Sequence, residues 1–158
     1  MGKIFESTEL FDQLREPMMT ILLSQVIDAI ESVCDSYTEF YDTQTGQTMS
    51  LPDPAWTGEA DEELEALLEA EPNRFLRFPT KFEIHEYKII ADFVEALPEG
   101  KIRKELFCAI RGRGAFRRFK NMIRYFGIEQ LWYDYQENAY REIAIRWCKD
   151  HDLKYIEK

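Results

Sequence analysis

The sequence has only two histidines and three cysteines, and it lacks the local patterns of the common catalytic sites. It contains no glycine-rich phosphate loop, no serine in a nucleophile elbow and no repeated pair of metal ligands. Cys148 and His151 have the spacing of half a zinc site, but no second pair accompanies them. These absences predict no metal site, no cofactor and no catalytic residue, and they leave a carboxylate-based enzyme as the least favoured function.

Long apolar stretches are also missing, and none approaches the roughly 18 residues that a membrane helix needs. The N-terminus is polar and has no apolar signal-peptide segment. Cys34, Cys108 and Cys148 are odd in number and far apart, which is typical of reduced thiols, and we expect them to be mostly buried. The sequence thus predicts a cytoplasmic protein with no membrane association.

The charge of the chain is distributed unevenly, although its 158 residues suit one domain with a substantial core. Residues 1–72 hold 17 acidic and 2 basic residues, a net −15, whereas residues 101–124 hold 9 basic residues and 1 acidic residue, a net +8. The acidic part repels nucleic acid at long range, and the basic part can bind phosphate at short range. Alternatively, the two parts neutralise each other within the fold.

The spacing of apolar residues predicts an α+β fold, a mostly helical single domain with a small antiparallel sheet and a helical C-terminal half over 80–150. A β-hairpin over 37–51, which turns at Thr45-Gly46, and a short strand over 74–78 form the sheet. The predicted helices are a peripheral N-terminal helix within 1–17 and helices over 18–33, 59–71, 80–97, 101–110, 115–126 and 128–149.

The same periodicity divides the side chains between core and surface. The large residues predicted to face the core include Phe82, Ile102, Phe107 and Phe116. Tyr133 and Tyr140 fall outside the apolar stripe of the last helix, where they could stack on bases or on a partner. His85 and Glu86 are interpreted as a surface pair, and a catalytic acid–base pair is the alternative. Asp42 is interpreted as a cap of the hairpin turn.

The densest cluster of charged and aromatic residues runs from Arg111 to Lys120, with the sequence RGRGAFRRFK. We expect Gly112 to end one helix and Gly114 to begin the next, because glycine readily adopts the backbone angles of such a turn. At 100° per residue, a stripe of four cations spans only about 60° of the following helix and lies roughly 130° from its apolar centre. These cations are Arg113, Arg117, Lys120 and Arg124. The predicted ligand-binding residues are Arg111, Arg113, Gly114, Arg117, Lys120 and Arg124.

Amide groups at the start of a helix, next to glycines and arginines, are typical of sites that bind phosphate or carboxylate. The partner would be a phosphate-containing ligand or nucleic acid. The following helix offers only Asn121 as a base-reading side chain, so we do not expect sequence-specific DNA recognition. Two alternatives remain open: a solvated basic face that pairs with the protein's own acids, and a surface for a protein partner or for self-association.

The run from Gly112 to Lys120 resembles the hallmark of an uncharacterised protein family (UPF class) of small bacterial proteins, which is marked by a G-R-G-A-F-R-R-F-K segment. The similarity covers about residues 22–150. Its other features are the hairpin ending at residues 42–46, the strand from Arg74 to Pro79, the helix from Tyr87 to Pro98 and the pair Trp132-Tyr133. No activity is established for that family, so the resemblance implies a bacterial, cytoplasmic protein and leaves a binding or regulatory role.

Overall fold

The computed structural model describes residues 19–157, and within this range the fold is α+β and mostly helical, as predicted. The strands are β1 (Thr20–Leu22), β2 (Tyr37–Asp42), β3 (Thr48–Pro52), β4 (Phe75–Arg77) and β5 (Lys154–Ile156). The helices are α1 (Leu23–Glu31), α2 (Pro54–Thr57), α3 (Glu62–Ala70), α4 (Lys81–Ile84), α5 (Glu86–Ala96), α6 (Lys101–Ala109), α7 (Ala115–Tyr125) and α8 (Glu129–Asp150). The helix predicted within 1–17 lies outside the described residues.

A three-stranded antiparallel sheet, in the order β3–β2–β4, confirms the predicted hairpin and third strand. Tyr41 lies opposite Thr48 in the hairpin, and the turn places Gly46 in the left-handed region with a φ of 75°. Asp42 caps this turn, because its carboxylate accepts a hydrogen bond from the Gln44 amide at 2.9 Å. Local turn chemistry therefore determines this part of the fold.

A second, parallel pair of strands was not predicted. β1 and β5 pair with Thr20 opposite Lys154 and Leu22 opposite Ile156. The sequence prediction placed residues 20–22 in the first turn of a helix over 18–33, but the structure begins α1 only at Leu23. The partner of β1 lies at the far end of the chain, so the local apolar periodicity could not indicate the pairing.

The helix predicted over 80–97 is broken in two at His85, whose φ of 54° lies in the left-handed region. The predicted start is confirmed, since Thr80 and Glu83 form a complete capping box. Phe82 is 92% exposed, so the prediction that it is buried was wrong. Ile84 is the buried residue of α4, and Phe82 lies about 200° from it around the short helix.

Aromatic side chains hold the helices together around α7. The rings of Phe93 in α5, Phe119 in α7 and Trp132 in α8 form a triangle with centroid distances of 6.0, 5.3 and 4.9 Å. Phe78, which follows β4, stacks on Trp147 of α8 at 4.9 Å and joins the antiparallel sheet to the helical part. The triangle fixes the face of α7 that turns inward and hence the face that remains outside.

Several side chains that were predicted to be buried are exposed, and one that was predicted to lie outside the core is buried. Exposed residues that were predicted to be buried include Ile102, Phe107 and Phe116. In these helices the apolar stripe is therefore wider than the buried face. Tyr140, predicted to lie outside the core, is only 8% exposed. Its hydroxyl meets Glu86 of α5, a partner that the pattern of α8 alone cannot reveal.

Candidate functional site

The connection between α6 and α7 contains two glycines in the left-handed region, Gly112 with a φ of 74° and Gly114 with a φ of 75°. Residues with a Cβ adopt these angles only at a cost. Gly114 is the N-cap of α7, and α6 ends at Ala109. The structure thus agrees with the prediction that the glycines separate two helices.

Arg118 holds this connection in place from the first turns of α7. Its guanidinium donates hydrogen bonds from Nε to the Ala109 carbonyl at 2.8 Å, from Nη2 to the Arg111 carbonyl at 2.6 Å and from Nη1 to the Arg113 carbonyl. These carbonyls lie at and just beyond the end of α6, where helix carbonyls lack partners and a positive charge is favourable. Arg118 therefore caps α6 while it belongs to α7.

Gly114 also leaves the space in which the Arg118 side chain crosses the turn. A Cβ atom at position 114 would lie 2.9 Å from Nη1 of Arg118, whereas a Cβ atom at position 112 would meet nothing within 4 Å. The two glycines share one backbone conformation, but only Gly114 is in close contact with the arginine. The spacing of Gly114 and Arg118, one helical turn apart, is the sequence signal of this arrangement.

The other cations of the segment form an exposed basic surface. This basic surface consists of Arg111, Arg113, Arg117, Lys120 and Arg124. Arg124 forms an ion pair with Glu129 at 3.3 Å, and the Arg111 guanidinium lies 4.7 Å from the centre of a phenylalanine ring. Within residues 19–157, Arg113, Arg117 and Lys120 form no ion pair with a carboxylate. Three cations therefore remain available beside the start of α7.

Tyr87 of α5, which is half-exposed, contacts the segment that carries the basic surface. Its hydroxyl donates a hydrogen bond to the Ile110 carbonyl at 2.9 Å, and its ring meets the edge of Phe116 at a centroid distance of 6.4 Å. Both contacts join α5 to the connection between α6 and α7. The basic surface consequently rests on a packed support rather than on a free loop.

A cavity of about 460 Å³ borders the basic surface, with Phe116 and Lys120 of α7 in its wall. Glu86 also lines this cavity and accepts hydrogen bonds from Gln136 Nε2 at 2.8 Å and from the Tyr140 hydroxyl at 2.6 Å. Burial, together with the adjacent Glu86 carboxylate, raises the pKa of Tyr140 well above its ordinary value. The phenol therefore remains a protonated donor to Glu86 at neutral pH.

Comparison with known proteins places this chain in a family. Residues 15–158 match the description "Uncharacterised protein family (UPF0158)". The chain belongs to UPF0158. The UPF0158 protein PA5073 of Pseudomonas aeruginosa is 30% identical over 138 residues, which is 86% of each chain. No solved structure matches.

The family match begins at residue 15 and therefore extends beyond the 22–150 range of the resemblance in the sequence. That the segment from Gly112 to Lys120 is the hallmark of UPF0158 stays a prediction.

In this UPF0158 chain all the predicted site residues are exposed, and that they form a ligand site stays a prediction. They are Arg111, Arg113, Gly114, Arg117, Lys120 and Arg124. The sequence analysis missed the role of Arg118, because the acceptors of its hydrogen bonds are main-chain carbonyls. It also interpreted Glu86 as a surface partner of His85, whereas the Glu86 carboxylate is bonded to α8.

Asp42, which is 3% exposed, forms an ion pair outside the basic surface. Its two carboxylate oxygens accept hydrogen bonds from Nε and Nη2 of Arg74, at 2.9 and 2.8 Å. Chiefly because of these bonds, the pKa of Asp42 lies well below its usual range. The pair joins β2 to the residue before β4, so it has a structural role.

The cysteines are less buried than predicted. Cys34 and Cys108 are exposed, because one follows the end of α1 and the other lies on the outer face of α6. Cys148 is buried, and burial raises the pKa of its thiol to about 11. Among residues 19–157, no three histidine, cysteine, aspartate or glutamate side chains come together to hold a metal ion. No helix in that range is long and apolar enough to cross a membrane.

Proposed function

We propose that this UPF0158 protein is a binding or regulatory protein of the bacterial cytoplasm whose basic surface contacts the phosphate groups of a ligand. The observation that supports the proposal is that Arg118 bonds the carbonyls of the turn, whereas Arg113 and Arg117 form no ion pair within residues 19–157. Among the arginines of residues 111–124, Arg118 is the one whose guanidinium bonds the carbonyls of the turn, so the remaining cations are not required to hold it. The turn and the start of α7 are thus held in place before a ligand binds, which lowers the ordering cost of binding.

The start of α7 adds main-chain donors to these cations. Gly114 at the N-cap has no side chain that could accept hydrogen bonds from the first amide groups of α7. Such amide groups, with the positive end of the helix dipole, favour an anion. Arg113 and Arg117 lie on either side of this helix start, so a phosphate there would meet guanidinium and amide donors together.

The charge asymmetry of the sequence persists in the fold. In the described part of the chain, the ion pairs of residues 101–124 are Lys101–Glu105, Arg103–Glu99 and Arg124–Glu129. The three acids, Glu99, Glu105 and Glu129, lie close to their partners in the sequence, and none belongs to the acidic residues 19–72. The alternative in which the two charged parts neutralise each other is therefore not supported within this range.

The test is fluorescence anisotropy of a labelled single-stranded RNA, with duplex DNA in parallel, at low and at physiological salt. We expect binding that weakens with salt, because phosphate contacts release counterions. The double variant Arg117→Glu and Arg124→Glu should weaken the salt dependence. The negative slope of log K against log salt should become less steep by about 1.4 for the RNA, the value for two phosphate contacts.

The matched control is the double variant Lys149→Glu and Lys154→Glu, which changes the net charge equally but lies on exposed positions away from α7. It should retain most of the binding. Absence of binding at low salt, where electrostatic contacts are strongest, would exclude the nucleic-acid ligand, and titration with inorganic phosphate would then test for a small anion. Equal losses in the two double variants would show a nonspecific charge effect.

Self-association is the second candidate function, and the acidic helix α3 favours it. Glu62, Glu63 and Glu65 in its first turn are exposed and form no ion pair within residues 19–157. The acidic face of one copy could therefore meet the basic surface of another. Sedimentation velocity distinguishes the two functions, since self-association predicts a mass that falls with added salt without nucleic acid.

A further inference from the structure

The cavity beside α7 contains a carboxylate with unused acceptor capacity. Glu86 accepts one hydrogen bond on each oxygen, from Gln136 on Oε1 and from Tyr140 on Oε2. Gln136 Nε2 also lies 3.1 Å from the Tyr140 oxygen. Because each carboxylate oxygen has about two lone-pair sites, one acceptor position remains on each. The protein donors fix the orientation of Glu86, and the free acceptors can take two adjacent donors of a ligand.

The walls of the same cavity are mainly apolar and aromatic. Phe116, which is 46% exposed, is the aromatic side chain that a ligand can reach, and the buried side chains of Phe119, Trp132 and Ile90 lie behind it. Its volume of about 460 Å³ lies in the range of small-molecule sites. A planar ring is the ligand shape that such walls favour, because aromatic side chains stack on flat π-systems.

Lys120 connects the cavity to the basic surface. This residue lines the cavity and is also one of the exposed cations of α7. A ligand that stacks a ring on Phe116 can therefore place an attached phosphate on Lys120. Lys81 also lines the cavity but forms an ion pair with Asp35 at 3.3 Å, which leaves Lys120 as the better phosphate contact.

From these three features we infer that the cavity binds the base of a guanine nucleotide. The Watson–Crick edge of guanine carries two adjacent donors, the ring N–H and the amino group, which match the two free acceptor positions of Glu86. Adenine and cytosine offer only an amino group on the corresponding edge. The inference rests on the proposed function, because the phosphate of the nucleotide contacts the basic surface.

The experiment is isothermal titration calorimetry of the full chain with guanosine monophosphate, inosine monophosphate and guanosine. We expect guanosine monophosphate to bind. Inosine monophosphate, which lacks the amino group, should bind at least tenfold more weakly. Guanosine lacks the phosphate and binds more weakly than its monophosphate. Equal affinities for the guanine and inosine nucleotides, or no heat with any of the three, overturn the inference without the need for a variant.

Two variants locate the contact. Glu86→Gln loses at least tenfold in affinity for guanosine monophosphate, whereas Glu142→Gln, an exposed carboxyl group on the same helix as Tyr140, changes it less than twofold. Thermal unfolding of both variants shows whether Glu86→Gln is folded. If it is not, the comparison of guanosine and inosine monophosphate with the unmodified chain decides whether the cavity recognises guanine. Unchanged affinity in a folded Glu86→Gln variant overturns the assignment of Glu86.

The source of the base is distinguished by competition. A guanine-containing single-stranded RNA that displaces guanosine monophosphate, while an adenine-only RNA does not, identifies an unpaired guanine in RNA as the ligand. Displacement by neither RNA identifies the free nucleotide. RNA binding that requires Arg117 and Arg124 but not Glu86 or guanine contradicts the inference and leaves the proposed function intact. Guanosine binding without any effect of phosphate or of Arg117 contradicts the proposed function instead.

Discussion

Gly114→Ala is expected to destabilise the protein more than Gly112→Ala, although the two glycines have nearly the same backbone angles. With φ values of 75° and 74°, each substitution forces an L-residue into the left-handed region, which costs about 1–2 kcal/mol. This cost is common to both variants. Any difference between them must therefore come from contacts of the new Cβ atom.

The contacts differ because only Gly114 lies against Arg118. A Cβ at position 114 would stand 2.9 Å from Nη1, so the guanidinium must shift and weaken its hydrogen bond to the Arg113 carbonyl. A hydrogen bond of this kind contributes about 1 kcal/mol net when partly exposed. We expect a loss of about 1.5 kcal/mol for Gly112→Ala and about 2.5 kcal/mol for Gly114→Ala.

Arg118→Ala provides the internal control. Removing the guanidinium leaves the carbonyls at the end of α6 without their donor and should cost about 2 kcal/mol. In that background Gly114→Ala has nothing to displace, so its cost should fall to that of Gly112→Ala. The double-mutant cycle then yields a coupling of about 1 kcal/mol between Gly114 and Arg118, above the usual error of additivity.

Equilibrium unfolding in urea, followed by far-UV circular dichroism, measures these free energies, provided that the m-values remain equal. Equal losses for the two glycine variants would refute the role of Arg118 in the turn. So would a cost of Gly114→Ala that is the same in the presence and in the absence of the arginine.

Three further outcomes follow from the structure. Asp42→Asn should cost about 3 kcal/mol at neutral pH. The variant should also lose less stability than the wild type as the pH falls. Because folding lowers the pKa of Asp42, its carboxylate stabilises the protein above the unfolded pKa of about 3.9, and this stabilisation is lost as pH falls toward the folded pKa. Urea midpoints between pH 2 and 7 measure this difference. Trp147→Phe should cost about 2 kcal/mol, because it leaves a β4 carbonyl without its donor, and should weaken the near-UV circular dichroism. Ellman's reagent should label Cys34 and Cys108 in the native protein and Cys148 only after unfolding, since that thiol is buried with a pKa of about 11.

The parts of the fold that could be predicted are those with local signals. Asp42 and Gly46 specify the hairpin turn within five residues, and the Thr80–Glu83 capping box determines where α4 begins. The apolar stripe of α7 correctly placed Phe119 and Ile123 in the core. In the turn and the capping box, residues close together in the sequence form the interaction itself, and in α7 the spacing of apolar residues indicates the buried face.

The parts that could not be predicted depend on residues far apart in the chain. β1 needs β5, so residues 20–22 are consistent with a helix until their partner is known. His85 breaks a helix without glycine or proline, the residues that usually indicate such a break. Glu86 and Tyr140 meet across 54 positions, and neither helix pattern alone shows that the other supplies a polar partner.

The candidate site was predictable in position but not in organisation. The 100° spacing of α-helical residues predicted a cationic face turned away from the core, and Arg117, Lys120 and Arg124 are exposed in the structure. The spacing left Arg118 off that face, but it could not show that Arg118, unlike Arg117, bonds the turn. That distinction depends on carbonyl groups at the end of α6, and the sequence carries it only as the spacing between Gly114 and Arg118.

The separation of charge also bears on the size of the ligand. The basic segment 101–124 carries a net +8, whereas the whole chain carries −10, so a phosphate meets attraction near α7 and repulsion elsewhere. At physiological salt, charges more than about 8 Å apart are largely screened, and a ligand no larger than the basic surface experiences mainly the attraction. A long duplex extends past that surface toward the acidic parts and gains less for each added phosphate. The charge pattern therefore favours a short phosphorylated ligand or a few nucleotides of single-stranded RNA over long duplex DNA.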